Sequence, residues 1–328
     1  MKRTVGLLIA LALAACAPAA GETTPSATQG QAIRLMLDWV PNTNHSGLFV
    51  AQDEGYFEAE GLDVEIIQPG EVYAEQAVAS GAADFGISFQ EQVTLAAANG
   101  VPLVSIAAIL QHNTSGFASR GKLGVSSPAD WEGLRYGAFG SPFEAPTLQG
   151  LMACDGGDFQ QLEIVETGFT DPLALLQQEQ IDLAWIFYGW QGIQAEQQGI
   201  DLDIVRMDEH FDCIPDYYTP VLITSRAVLE SRPETARAFL RAASRGYTEA
   251  AADPERAAAA VLAAAPELDS ALVSLSQAWI SPRYQAEARR WGEQSPATWQ
   301  AYADWMTENG ILEGRVDMAN TFTNEFLP

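Results

Sequence analysis

The sequence predicts an α/β protein with a helical C-terminal part. Between residue 33 and about residue 224, short apolar runs alternate with longer amphipathic ones, which is typical of βαβ units built on mainly parallel sheets. From Pro233 onward, Ala-rich amphipathic segments with Pro or Asp at their starts indicate helices. The chain has 328 residues, 48% of them hydrophobic, which is enough for a large core and about two domains.

The first fifteen residues predict an export signal rather than a part of the fold. Lys2 and Arg3 precede an apolar run at residues 5–15, which is too short to span a bilayer of about 30 Å. The run ends in Leu-Ala-Ala-Cys16 and is similar to the lipobox of bacterial lipoproteins, in which the cysteine is lipidated; the alternative is an ordinary signal with a fortuitous cysteine. Residues 16–31, rich in Pro, Thr, Ser, Gly and Ala, predict a flexible tether. We therefore expect a protein outside the cytoplasm, anchored to the cell membrane through Cys16.

The elements that follow the tether are predicted from hydrophobic patterning. Strands are predicted at residues 33–37, 62–67, 85–88, 103–110, 135–139, 163–166, 183–187, 204–207 and 218–224. Helices between them include residues 47–59, 72–80 and 90–99, and several are followed by glycine, as at Gly81. The C-terminal helices are predicted at residues 233–251, 254–264, 268–279 and 296–309.

The order of these elements leaves two organisations open. One is a doubly wound domain followed by a helical bundle, and the other is a pair of lobes with a discontinuous first lobe. Residues 111–122 are polar and contain Gly and Ser, as a crossing between lobes would, and residues 215–224 are a candidate for the return crossing. The two-lobe interpretation assigns residues 32–119 and 221–328 to lobe 1 and residues 120–220 to lobe 2.

The charge balance excludes one class of partner. Lys and Arg total 17 against 43 Asp and Glu, and the net charge of −26 would repel nucleic acids. Only Lys2 and Lys122 are lysines, so an enzyme mechanism that needs a lysine Schiff base has almost no candidate residue.

Two cysteines remain beyond the signal. Cys154 and Cys213 are 59 positions apart, and outside the cytoplasm such a pair is more often a disulfide than a metal site. Two separate buried thiols are the alternative. The three histidines are scattered without ligand spacing, so we predict no metal site.

A polar connection directly follows the first predicted strand. Residues 38–45 include Trp39, Asn42, Asn44 and His45, and ligands of open α/β sheets bind beyond the carboxyl ends of the strands. These four residues are therefore candidate ligand contacts. The alternative is a structural turn, because Pro-Asn and Asn-Thr-Asn are good turn formers and N-caps.

An aromatic cluster at residues 185–190 ends another predicted strand. Tyr188 and Trp190 flank Gly189, where the strand should stop, and are candidates for stacking on a planar ligand. Tyr218, at the proposed return crossing, is a third candidate ring. For each ring taken alone, core packing is the alternative.

Three further candidates lie where predicted strands end and helices begin. Ser141 and Glu144 fit a capping box, whose helix N-terminus also suits a ligand carbonyl or anion. Glu91 is suited to accept hydrogen bonds from an amino-substituted ring, although it equally favours a first helical turn. No GxSxG, P-loop, HExxH or dinucleotide motif occurs, so we predict no catalytic residue and a binding function.

Residues 38–45 (Asp-Trp-Val-Pro-Asn-Thr-Asn-His), with residues 47–51, 55–57 and 85–91, closely resemble the SsuA/THI5-like (NMT1-like) solute-binding proteins of ABC importers. Residues 140–144, 185–190 and 216–220 extend the match, so that it covers nearly all of the chain after the tether. The combination is similar to the branch that binds thiamine pyrimidine precursors such as formyl-aminomethyl-pyrimidine; a related branch binds riboflavin.

The resemblance implies a two-lobe, type II periplasmic binding protein-like fold whose lobes close on a ligand by hinge bending. It implies a small heteroaromatic ligand, an ABC permease as partner and no cofactor, and we expect a monomer. A eukaryotic enzyme branch of the same family makes the pyrimidine from its own histidine and pyridoxal phosphate, and needs a lysine and a cysteine cluster. No lysine lies between Arg34 and Gly121 here, and there is no cysteine cluster, so we expect no enzyme.

Overall fold

The computed structural model describes residues 30–70, 72–168 and 170–328. The predicted signal at residues 1–15, the predicted lipidation of Cys16 and most of the predicted tether lie outside the described residues. Gln31, which the tether prediction included, is the first residue of the first strand.

Ten strands are present in the described part of the chain, including all nine that the sequence predicts. They are β1 Gln31–Met36, β2 Leu62–Ile67, β3 Phe85–Ser88, β4 Leu103–Ala108, β5 Ser115–Arg120, β6 Arg135–Ala138, β7 Glu163–Glu166, β8 Leu183–Phe187, β9 Leu202–Arg206 and β10 Val221–Ser225.

The strands form two five-stranded sheets. The first has the order β2-β1-β3-β10-β4 and the second the order β7-β6-β8-β5-β9. In the first sheet β10 runs antiparallel to β3 and β4, and in the second β5 runs antiparallel to β8 and β9, while the remaining pairs are parallel. The chain leaves the first sheet after β4 and returns to it as β10, which confirms the α/β class with a discontinuous first unit. We call the units built on the two sheets the first lobe and the second lobe.

Strand β5 corrects one prediction from the sequence. Residues 111–122 were expected to be a crossing, but residues 115–120 form β5 between β8 and β9. The sequence Ser-Gly-Phe-Ala-Ser-Arg has few of the β-branched residues that identify a strand. Small residues suit this position, because a Cβ added at Gly116 would lie 2.8 Å from the carbonyl oxygen of Val205 on β9.

The helices cover both sheets. They are α1 Ser46–Asp53, α2 Tyr56–Ala59, α3 Ala74–Ser80, α4 Gln90–Ala98, α5 Glu144–Cys154, α6 Pro172–Gln177, α7 Ile193–Gln198, α8 Arg226–Ser231, α9 Pro233–Ala252, α10 Pro254–Ala264, α11 Ser270–Ile280 and α12 Pro296–Glu308. The single helix predicted at residues 47–59 is divided into α1 and α2 at Gly55, whose φ of 68° is left-handed. None of the helices in the described ranges has the length and apolar character needed to cross a bilayer.

The core of the first lobe lies between its sheet and helices α1, α9, α10 and α11. Phe239 of α9 stacks on Phe85 of β3 at a centroid distance of 4.0 Å and on Phe57 of α2 at 5.3 Å. Helices α1 and α9 approach closely, because a Cβ added at Gly246 would lie 1.9 Å from the carbonyl oxygen of Gly47. Stacked aromatic rings and a close helix–helix contact therefore pack these helices tightly against the sheet.

A disulfide lies within the second lobe, and two packing contacts join the lobes. Cys154, at the end of α5, is bonded to Cys213, with Cα atoms 5.7 Å apart. After β8, Trp190 and Ile193 belong to the core cluster of the first lobe. Conversely, Tyr302 and neighbouring residues of α12 pack in the main core cluster of the second lobe. The lobes thus share side chains beyond their two connecting segments.

Candidate ligand-binding site

The loop at residues 38–45 is held together by its own side chains. Asn42 Oδ1 accepts a hydrogen bond from the backbone N of Asn44 at 2.9 Å, and the Asn42 amide donates to a backbone carbonyl at 3.0 Å. His45 is fully buried; its Nδ1 accepts from the Asn42 backbone N at 3.3 Å, and its Nε2 lies 2.6 Å from Asp38 Oδ1. The polar atoms of Asn42 and His45 are therefore used within the turn. The Asn44 side chain is half-buried and forms no hydrogen bond with a described residue.

The four candidate rings also have structural partners. Trp39 is half-buried against the core of the first lobe. Tyr188 packs on Trp279 of α11 with centroids 5.1 Å apart, and Trp190 is only 8% exposed in the core of the first lobe. Tyr218 is buried, and its hydroxyl accepts a backbone N–H at 2.8 Å. Within the described ranges, the structure does not bring these rings together as one stacking surface.

Ser141 and Glu144 lie at the edge of the second lobe. Glu144 accepts hydrogen bonds from the backbone N of Ser141 at 2.6 Å, from the backbone N of Phe139 at 3.0 Å and from the hydroxyl of Tyr136 at 2.8 Å. Burial raises the pKa of Glu144, while these donors oppose the shift. The Ser141 hydroxyl is buried without a partner among the described residues, so only the glutamate half of the expected capping box forms.

One aromatic contact joins the two lobes, at a face of the second sheet. Ser115 of β5 pairs with Phe187 of β8, and Phe117 pairs with Trp185, so the alternation of the strands places all four side chains on one face of the second sheet. We call it the inner face. The rings of Phe117 and Trp185 are 5.0 Å apart. From the first lobe, Phe89, just before α4, stacks on Phe187 at 6.3 Å with an interplanar angle of 18°.

Polar atoms next to the inner face are buried without a hydrogen-bond partner among the described residues. They are Asn113 Nδ2, Ser115 Oγ, Trp185 Nε1, Tyr217 OH, Tyr302 OH and Glu91 Oε2. Asn113 Oδ1 accepts from the backbone N of Ser115 at 2.7 Å, and the Asn113 side chain also interacts with the Tyr217 hydroxyl, which by itself lowers the pKa of that phenol. Because buried polar atoms in folded proteins are nearly always hydrogen-bonded, such a group marks a place where a ligand or ordered water supplies the missing partners.

Glu91 is the most strongly perturbed of these groups. It lies in the first turn of α4 and is 3% exposed. Burial raises its pKa to about 8, and the nearby charge of Glu75 adds to the shift. Burial also raises the pKa of Tyr302 well above its usual value, with Glu91 as a further cause, and Tyr302 stacks on Tyr217 at 4.1 Å. Glu91 therefore lies among phenols and carboxyls.

The adjoining part of the first lobe is acidic. The hydroxyl of Ser88, at the end of β3, donates to the carboxylate of Glu75. Burial raises the pKa of Glu75, and the charge of Asp38 contributes. No described Lys or Arg forms an ion pair with Glu75 or Glu91. This arrangement suits a ligand that donates hydrogen bonds or carries positive charge, and it disfavours an anion such as a sulfonate.

Two surface cavities flank this region. One of about 560 Å³ lies at the segments that connect the lobes and is lined by His112, Asp216, Tyr218 and Glu287 among others. The second, of about 270 Å³, is lined by Ser141, Glu144 and neighbouring residues. Neither is lined by Glu91 or Trp185. The contact between Phe89 and Phe187 thus closes the inner face in this conformation.

The sequence predicts Glu91 as a ligand contact, but it does not predict Asn113, Ser115, Trp185 or Tyr302 as its neighbours. Trp185 lies inside a predicted strand, where alternate residues are usually buried, so the pattern does not distinguish it from a core ring. Asn113 and Ser115 were hidden in the segment expected to be a crossing. Tyr302 is distant in sequence, and no local pattern connects it to a site. In the local sequence, the feature that points to this region is Phe89, an aromatic residue at the end of a predicted strand and two residues before Glu91.

Comparison with known proteins identifies a family and relatives of two kinds, binding proteins and a synthase. Residues 42–257 match the protein family described as NMT1/THI5 like. A formylaminopyrimidine-binding protein of Halalkalibacterium halodurans is 28% identical over 98% of this chain and 98% of its own. The riboflavin-binding protein RibY of Chloroflexus aurantiacus is 25% identical over 99% of this chain and 97% of its own. A 4-amino-5-hydroxymethyl-2-methylpyrimidine phosphate synthase of Legionella pneumophila is 24% identical over 90% and 92%.

Solved structures share the fold. The alkanesulfonate-binding protein SsuA of Xanthomonas axonopodis pv. citri, bound to MOPS, superimposes with a TM-score of 0.68 at 16% identity, over 90% of this chain and 99% of its own. This likeness confirms the predicted periplasmic binding protein-like fold with two lobes.

Proposed function

Because the chain belongs to the NMT1/THI5-like family, we propose that it is the extracytoplasmic substrate-binding component of an ABC importer and binds a thiamine pyrimidine precursor of the formyl-aminomethyl-pyrimidine type. Full-length similarity to a formylaminopyrimidine-binding protein supports the choice of ligand. The structural observation that carries it is the buried, unpartnered Glu91 carboxyl beside the aromatic inner face. An amino-substituted heteroaromatic ring can stack on the aromatic side chains, and its polar edge can supply the hydrogen-bond partner that Glu91 does not have within the protein.

The inner face provides both kinds of contact. Phe89 and Phe187, one from each lobe, are positioned to hold a flat ring, and each aromatic contact contributes about 0.5–1.5 kcal/mol beyond area burial. Trp185 Nε1 is a donor suited to a carbonyl oxygen such as that of a formyl group. A ligand that leaves one of these buried groups unpaired should lose about 1–3 kcal/mol.

Ligand entry requires the lobes to separate, because Phe89 and Phe187 are in contact across the site. We propose that the lobes bend at residues 109–114 and 207–220 and that the ligand stabilises the closed form. The closed form would then be recognised by a membrane permease. We further propose that the protein acts as a monomer, with a lipid on Cys16 holding it at the membrane.

An enzyme of the synthase type fits the described residues poorly. Lys122 is the only lysine among them, its side chain is 59% exposed, and it is paired with the carboxylate of Glu179 at the far edge of the second lobe. An exposed, ion-paired ammonium has a low tendency to form a Schiff base. We therefore propose binding without turnover.

Riboflavin is the second candidate ligand, supported by the full-length similarity to RibY. The purified protein should be titrated with formyl-aminomethyl-pyrimidine, with riboflavin and with an alkanesulfonate, using its eight tryptophans as the fluorescent probe. We expect saturable quenching with the pyrimidine alone. Saturation with riboflavin only would transfer the assignment to the flavin, and a response to none of the three would refute the proposed ligand class.

The site itself is tested with conservative variants. Trp185→Phe keeps the ring and removes the N–H donor, so we expect pyrimidine binding to weaken about five- to tenfold, which corresponds to about 1–1.4 kcal/mol. Trp279→Phe alters a ring that packs on Tyr188, and it should leave the affinity unchanged. If both variants bind like the wild type, Trp185 does not contact the ligand.

A further inference from the structure

The burial of Glu91 and the groups around it determine whether its carboxyl group is protonated. We propose that Glu91 binds the ligand as a neutral carboxylic acid and thereby selects an aminopyrimidine edge, in which a ring nitrogen lies next to an amino group. The inference rests on the proposed function and adds to it the chemical pattern that the site recognises.

The first argument comes from the surroundings of the carboxyl group. Glu91 Oε2 is buried and has no partner among the described residues. The charged and titratable groups that face it are Glu75 of α3, Tyr217 of the return segment and Tyr302 of α12, with Asp38 beyond Glu75. None of them is a cation. Burying an unpaired carboxylate costs several kcal/mol, so the group lowers its free energy by keeping its proton.

The second argument is complementarity with the ligand. A neutral carboxyl group has one O–H donor and one C=O acceptor side by side. A pyrimidine with an amino group next to a ring nitrogen has the opposite pattern, an acceptor next to an N–H donor. The O–H of Glu91 would donate to the ring nitrogen, and its carbonyl oxygen would accept from the amino group. An ionised carboxylate has only acceptors and would face the ring nitrogen lone pair directly.

This pairing makes affinity depend on pH in a defined direction. The pKa of about 8 means that Glu91 is mostly neutral at neutral pH and mostly ionised in more alkaline solution. If only the neutral form binds, affinity falls about tenfold for each pH unit above the pKa. The apparent Kd should therefore rise about tenfold between pH 7 and about pH 9.

The decisive variant is Glu91→Gln. A glutamine amide has an N–H donor and a C=O acceptor, the same pattern as the neutral acid, and it does not titrate. We expect E91Q to bind formyl-aminomethyl-pyrimidine within about threefold of the wild type at pH 7 and with no decline up to about pH 9. Glu91→Ala, which has neither group, should bind at every pH at least about tenfold more weakly than the wild type binds at pH 7. Circular dichroism of each variant at each pH controls for unfolding.

The outcomes separate the inference from the proposed function. If the wild type binds the pyrimidine, but E91Q loses tenfold or more, or if wild-type affinity rises towards alkaline pH, the carboxylate form binds and the inference is wrong while the ligand assignment stands. Difference infrared spectra of wild type and E91Q at neutral pH provide a readout that needs no ligand. A carboxylic acid C=O band assigned to Glu91 supports the inference, and a carboxylate band in its place overturns it.

Discussion

Replacing Trp190 by Ala distinguishes a core residue from a ligand contact. The sequence makes Trp190 a candidate stacking ring, whereas the structure places it in the core of the first lobe with 8% of its surface exposed. A buried Trp removes roughly 150–250 Å² from water, which at about 25 cal/mol per Å² corresponds to about 4–6 kcal/mol. Measured Trp→Ala substitutions in cores cost about 3–5 kcal/mol, and we expect W190A to fall in that range.

The measurement is urea denaturation followed by far-UV circular dichroism, and the free energies of unfolding of the variants are compared. Tyr188→Ala is the matched comparison, because Tyr188 lies two residues away but is half-buried against Trp279. We expect Y188A to lose about half as much stability as W190A or less, since less of its surface leaves water.

The result that would refute this reasoning is a W190A protein with stability within about 1 kcal/mol of the wild type and no pyrimidine binding. That combination would mean that the ring faces a ligand and that its place in the core of the first lobe is incorrect. Loss of stability with residual binding, measured below the unfolding transition, would support the core assignment.

Three further predictions concern stability. Replacing Cys154 and Cys213 by Ser opens a 59-residue loop and should cost about 4 kcal/mol of unfolding free energy on the chain-entropy model, measured by urea titration without reductant. Hydrogen bonds to two carboxylates raise the pKa of His112 to about 9. The protonated His112 therefore contributes its full stabilisation below the pKa of about 6.5 that it has in the unfolded chain, and this stabilisation is lost as the pH rises through about 9. The difference in Tm between the wild type and His112→Gln should shrink between these two pH values. Gly246→Ala would put a Cβ 1.9 Å from the carbonyl oxygen of Gly47, and overpacking should lower stability by at least about 2 kcal/mol in the same urea assay.

The sequence predicts the elements better than the site for a physical reason. Strand and helix patterns are local, so β2, β3 and β7 have the predicted limits, and proline begins α9, α10 and α12 as expected. Strand β5 is not predicted because its sequence has few β-branched residues, and at Gly116 the close approach of β9 leaves no room for a side chain. The site depends on which side chains come together in the folded protein. The packing of the two lobes and of helix α12 brings together residues that are distant in the sequence, namely Phe89, Asn113, Trp185 and Tyr302.

Glu91 and Glu144 show why residue type and local position are insufficient. Both are glutamates in the first turn of a helix that follows a strand end, and both are 3% exposed. Glu144 receives three hydrogen bonds from its own lobe, so its carboxylate is compensated and its function is to organise the loop before α5. Glu91 has a buried oxygen without a partner, and the missing partner must come from outside the chain. The difference between this structural glutamate and the proposed ligand-binding glutamate is therefore the number of donors that the folded protein supplies, and this number is set by the tertiary structure.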